Sequence, residues 1–141
     1  MPQIDENGVQ IVLPADDTPI QYFVSSCLTV TCGFTDGTRI GAHFSHGASG
    51  ANWTFADSVE TWKIFRDAVA DKIQNGGSAG WVVVRGQIDM WRPSYLTTTR
   101  LTADYATPSD LSDTISMVTG RAPTIADKTG GFVVLTDGSV V

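Results

Sequence analysis

The chain has 141 residues, the usual size of one domain and long enough to bury a core without staples. Its 42% hydrophobic and 17% charged residues exclude a disordered chain. The balance of 9 Lys and Arg against 15 Asp and Glu, a net charge of −6, argues against a nucleic-acid partner, because phosphate binding needs a positive face. No apolar run reaches membrane length, and the polar, acidic start MPQIDENG lacks the basic and apolar regions of a signal peptide.

In chain order, Asn7-Gly8 signals a tight turn, and Val9, Ile11 and Leu13 then alternate as a strand. Pro14 to Pro19 is a connector. Tyr22 to Phe34 is rich in β-branched and aromatic residues, Asp36-Gly37 turns, and Arg39 to Phe44 returns, which predicts a hairpin. Gly47 to Asn52 reads as a loop. Asp57 and Glu60 form a capping box for a helix to residue 75, whose stripe is Val59, Trp62, Phe65, Val69 and Ile73. Asn75-Gly76-Gly77 stops it. Trp81 to Val84 reads as a central strand, with Gly86 a bulge and the strand resuming through Ile88 and Met90. Thr107-Pro108-Ser109-Asp110 starts a second helix, with Leu111, Ile115 and Val118 buried and Gly120 as its stop. Ile125 and Phe132 to Leu135 read as strands, and Asp137-Gly138 turns into Val140 and Val141. The order predicts one α+β domain over 1–141, with two main helices packed on a largely antiparallel, sandwich-like sheet system.

Two cysteines are too few for a disulfide scaffold and read as free thiols in a reducing compartment. Alternation puts Leu28, Val30 and Cys32 on one face of their strand and Cys27, Thr29 and Thr31 on the other. Cys32 is therefore expected in the core. Ser25 and Ser26 are small, so the Cys27 sulfur is expected to be approachable. The only histidines, His43 and His46, follow the return strand. Pairing about the turn sets positions summing to about 73 opposite each other, so His46 faces Cys27 in a perfect register and His43 meets it diagonally. An imidazole that takes the thiol proton makes a nucleophile for carbonyl carbon, and backbone N–H groups near Cys27 can serve the oxyanion. Against this stands the default role of a strand cysteine as a small core residue. A zinc site from Cys27, Cys32, His43 and His46 is not expected, since Cys32 points the wrong way and no CxxC is present.

The segments SSC at 25–27, LTV at 28–30 and DGTRIGAHF at 36–44 resemble the CheD family of chemoreceptor glutamine deamidases. IADKTGG at 125–131, FVVL and DGSVV at 137–141 are similar to the same family's C-terminal part. Glutamine-deamidating toxins of the cytotoxic necrotizing factor type share the Cys–His arrangement. The resemblance implies a CheD-like fold, with Cys27 the nucleophile and His43, rather than His46, the base. The family has a Thr shortly before the Cys. Gln21 stands at that position here, Thr18 is the nearest Thr upstream, and Ser25 or Ser26 can substitute as the orienting or oxyanion group. The segment 92–106, with Thr97, Thr98 and Thr99, departs from the family pattern.

The expected function is a protein glutamine deamidase, an enzyme with no metal or organic cofactor, acting on a protein that bears a reactive glutamine. It works in the cytoplasm, or as a toxin-like effector delivered to a host or rival cell without a cleaved signal. The alternatives are transglutamination at the same site and a catalytically silent adaptor or inhibitor of the same fold.

Overall fold

The computed structural model describes residues 1–45, 56–88 and 111–141. Its elements are β1 (Val9–Val12), β2 (Ile20–Val24), β3 (Leu28–Phe34), β4 (Arg39–Phe44), α1 (Ala56–Gln74), β5 (Ala79–Gly86), α2 (Leu111–Thr119), β6 (Thr124–Asp127) and β7 (Gly130–Val134). Five strands form one sheet in the order β1-β4-β3-β5-β6, and β2 pairs with β7 in a second. All pairings are antiparallel except β5 with β6, whose connection contains α2. A parallel neighbour needs such a crossover, because a tight turn reverses the chain. The chain is thus α+β with a mixed, mainly antiparallel strand set, as its pattern predicts.

β3 is buried along its whole length because both of its faces are covered. Leu28, Val30 and Cys32 join Phe44, Trp62, Phe65, Val69, Val82, Val84 and Ile115 in a core between the large sheet and the helices. Trp62 packs tilted and Phe65 edge-on against Phe44, with ring centroids 6.0 and 6.2 Å away. Burying each such side chain contributes about 1.5–3 kcal/mol, which is what fixes α1 on β4. The opposite face of the large sheet meets β2 and β7, and Ile4, Ile20, Tyr22, Val24, Cys27, Phe132 and Val134 fill that second core. Tyr22 ties the two sheets through a 2.7 Å hydroxyl contact with Thr31. Gly41 permits the approach: a Cβ there would sit 2.6 Å from Ile4 Cδ1 and against the Tyr22 hydroxyl.

Several local expectations change. The β3–β5 register runs unbroken into Gly86, where the strand ends, and the irregularity falls at Gly33/Phe34. Gly86 therefore terminates β5 instead of bulging it. Ile73 is 38% exposed, so the apolar stripe of α1 ends at Val69. The helix has by then reached the β3–β4 turn, where Lys72 pairs with Asp36. The Val59 side chain, the 47–52 loop, Met90, the 92–106 segment and the Thr107–Asp110 start of α2 lie outside the described residues.

Candidate active site

Cys27 sits one residue before β3, and Leu28 pairs with Phe44 and Thr29 with His43. That register is one residue short of the one expected from the turn. The loop of Thr35, Asp36 and Gly37, closed by Gly37 N–H on the Phe34 carbonyl, sets it. Cys27, Thr29 and His43 consequently share the sheet face toward β2 and β7, with His43 diagonal to Cys27. His46, the alternative base, lies outside the described residues.

His43 is 1% exposed and held from three sides by the N-terminal segment. Its Nδ1 lies 2.9 Å from the Ile4 carbonyl, its carbonyl accepts from Asn7 N–H at 2.7 Å, and its N–H donates to the Gly8 carbonyl at 3.0 Å. A carbonyl oxygen only accepts, so Nδ1 carries a proton, and in the neutral tautomer the lone pair is on Nε2. That Nε2 is buried and has no hydrogen-bond partner among the described residues. The segment doing the holding is a tight turn, Asp5 to Gly8, closed by Gly8 N–H on the Asp5 carbonyl, with Asn7 at φ 64°. Asn is among the few side-chain residues that accept that conformation. Asn7 Oδ1 takes the Ser45 hydroxyl at 2.9 Å, and its carbonyl takes the Thr61 hydroxyl at 3.2 Å, which anchors the turn to β4 and α1.

Cys27 is 2% exposed, which corrects the expectation of an approachable sulfur. Alternation gives the face of the strand correctly but does not say what covers it, and the second sheet does. The thiol donates to Glu6 Oε1 at 3.4 Å, and Glu6 is itself exposed, so the sulfur lies one side chain below the surface. Burial first, then the charge of Glu6 and its hydrogen bond, push the Cys27 thiol up to about 12, while a backbone bond from Ser25 pulls the other way. The resting thiol is therefore protonated. Cys32 is fully buried on the helix side, and burial alone pushes it up to about 12 as well.

The remaining candidates are dispersed. Ser25 is exposed and Ser26 half-buried in the bend entering Cys27, so both stay beside the thiol. Gln21 lies on β2 between the inward-facing Ile20 and Tyr22, so its side chain is turned away from the thiol. It serves through its backbone, which bonds Pro2 and Ile4 and holds the N-terminal segment down. Thr18 gives its carbonyl to Arg39 Nη1 at 2.7 Å. Arg39 stands four residues from His43 on β4, about 13 Å along the strand, so Thr18 belongs to the other end of the sheet. Sequence reasoning missed the Ile4 carbonyl and Glu6. The Asn7-Gly8 turn was readable, but nothing in the spacing says that it folds over His43.

The chain matches no protein-family model and no curated protein.

Proposed function

We propose that the chain is a protein glutamine deamidase with Cys27 as nucleophile and His43 as base, on a fold of the CheD type. One observation carries the reading: a buried imidazole has one nitrogen fixed by a backbone carbonyl and the other without a partner among the described residues, on the same sheet face as a thiol. Leaving a buried polar atom unpaired costs about 1–3 kcal/mol, which a purely structural histidine would avoid. Such atoms accumulate where a proton has to be moved. The similarity of residues 25–44 to the deamidase family supplies the reaction class.

In the proposed reaction the Cys27 proton passes to His43 Nε2 as the sulfur attacks the glutamine side-chain amide carbon. The C–N bond then breaks, and His43 returns that proton to the departing ammonia. The thioester is opened by water, whose proton goes to His43 while its oxygen joins the acyl carbon. The C–S bond breaks, Cys27 recovers its proton, and glutamate is left on the target. A base that takes the proton as the sulfur attacks suits a thiol that rests protonated. The Ile4 carbonyl is the orienting group that holds a proton on Nδ1 and so leaves Nε2 as the nitrogen that accepts. Contacts to a folded partner supply the positioning that a small domain lacks.

The test is incubation with candidate bacterial or host proteins, followed by mass spectrometry for Gln-to-Glu conversion. Conversion is expected with the wild type and lost in Cys27→Ser and His43→Ala. Conversion that persists in Cys27→Ser removes the reading, and cross-linking to an added amine replaces it by transglutamination. The closure of Cys27 favours a second reading, a silent binding protein of the same fold, which would convert nothing.

A further inference from the structure

Glu6 is the one side chain hydrogen-bonded to the Cys27 sulfur among the described residues, and it approaches from solvent. Its backbone cannot drift, because Ile4, Asn7 and Gly8 on either side all bond His43. Ile4 is also fully buried and bonds Gln21 through its N–H. What can move is the Glu6 side chain alone, at the corner of the Asp5–Gly8 turn. Nothing about the fold of that turn requires a carboxylate at its corner: the turn is closed by the Asp5 backbone carbonyl, and the Asp5 side chain, the other exposed acid there, takes its one hydrogen bond among the described residues from Gln3 across the surface, at 3.0 Å.

We propose that Glu6 is a built-in product mimic that gates the site: its carboxylate occupies the place where a substrate's glutamyl carboxyl would leave the thiol, and the side chain swings out when a glutamine enters. This rests on the deamidase reading for the identity of the displaced group. The chemistry fits, because the group against the sulfur is a glutamic acid side chain, the product of the proposed reaction. A carboxylate beside the thiol also disfavours the thiolate, so the gate suppresses the nucleophile as well as covering it. Access and activation then arrive in one motion. The target must carry its glutamine on an exposed, protruding segment able to take the path Glu6 vacates.

The test is the rate of alkylation by iodoacetamide in the folded protein, read separately at Cys27 and Cys32 by peptide mapping. Glu6→Ala is expected to speed Cys27 labelling about tenfold or more, because the cover over the sulfur and the negative charge beside it go together, and to leave Cys32 unchanged. Asp5→Ala, in the same turn, is expected to label like the wild type. A Cys27 rate in Glu6→Ala equal to that of the wild type overturns the gate. Equal acceleration by Asp5→Ala also overturns it, since a loosened turn then explains the result. Alkylation needs no turnover, so the gate stands or falls apart from the deamidase reading, which Gln-to-Glu conversion decides.

Discussion

Gly86→Ala tests how the Cys27 backbone is held. Gly86 adopts φ 150°, and a Cβ built there would press on the Cys27 carbonyl oxygen and lie 2.9 Å from Leu28 Cα and 3.2 Å from the Cys27 carbonyl carbon. All three are backbone atoms of β3 or its entry, so none can rotate away. The backbone conformation costs an alanine about 1–3 kcal/mol, and forcing a methyl into a filled space costs about 1–3 kcal/mol more. The combined loss is about 2–6 kcal/mol. At roughly 4 °C per kcal/mol for a domain of this size, Tm falls by about 8 °C or more. Gly76→Ala is the control, because Gly76 has φ 91° with nothing within 4 Å of its Cβ position. It carries the conformational cost without the crowding. Differential scanning calorimetry of both variants decides the matter. A Gly86→Ala protein no less stable than Gly76→Ala would refute the claim that Gly86 is a wall behind the Cys27 backbone.

The Cys27 thiol, held up to about 12 by burial and by Glu6, is expected to label about tenfold faster for each pH unit between about pH 7 and 10, without a plateau. A plateau near pH 8 in a stopped-flow alkylation series would show an ordinary or activated thiol instead. Glu6→Gln places a primary amide where the carboxylate meets the sulfur, and its conversion back to glutamate is expected by intact mass and peptide mapping. The double variant with Cys27→Ser should keep its glutamine, and a glutamine that persists equally in both counts against in-line attack. Lys72, hydrogen-bonded to Asp36, holds that carboxyl at about 2, below its ordinary 3.8. Its stabilisation is present above the ordinary value and lost as pH falls through about 2. Lys72→Met is expected to move the Asp36 carboxyl resonance titration upward by NMR, with little change in Tm at pH 7 because the pair is at the surface.

The turn and return strand of the hairpin, the faces of β3 and the burial of Cys32 were legible because alternation and a turn signal are local; the outgoing strand was read from Tyr22 but begins at Leu28, since Tyr22 to Val24 belong to β2 in the second sheet. The sequence also placed Trp62, Phe65 and Val69 correctly on one stripe. What it did not carry was contact between distant segments. The pairing of β2 with β7 joins residues about 110 positions apart, and it is what covers Cys27. The Ile4–His43 and Glu6–Cys27 contacts likewise join the first turn to the hairpin, with no spacing rule to announce them. The hairpin register missed by one residue because a three-residue loop was not distinguished from a two-residue one. Gln21 was chosen because it stands at the family's Thr position and Thr18 because it is the nearest Thr upstream, and neither sends its side chain to the thiol.

The two cysteines lie on opposite faces of one strand, five residues apart, or about 16 Å along it. A disulfide needs Cα atoms within about 7 Å, and here the sheet itself stands between the sulfurs. Oxidation of Cys27 to a sulfenic acid would thus find no resolving thiol in its own fold, since the chain has only two cysteines. The oxidised sulfur must wait for a small soluble thiol, or climb to the irreversible sulfinic acid. Under oxidative stress the cover over Cys27, and the protonated state that burial and Glu6 impose on its thiol, are what the described residues set against that outcome.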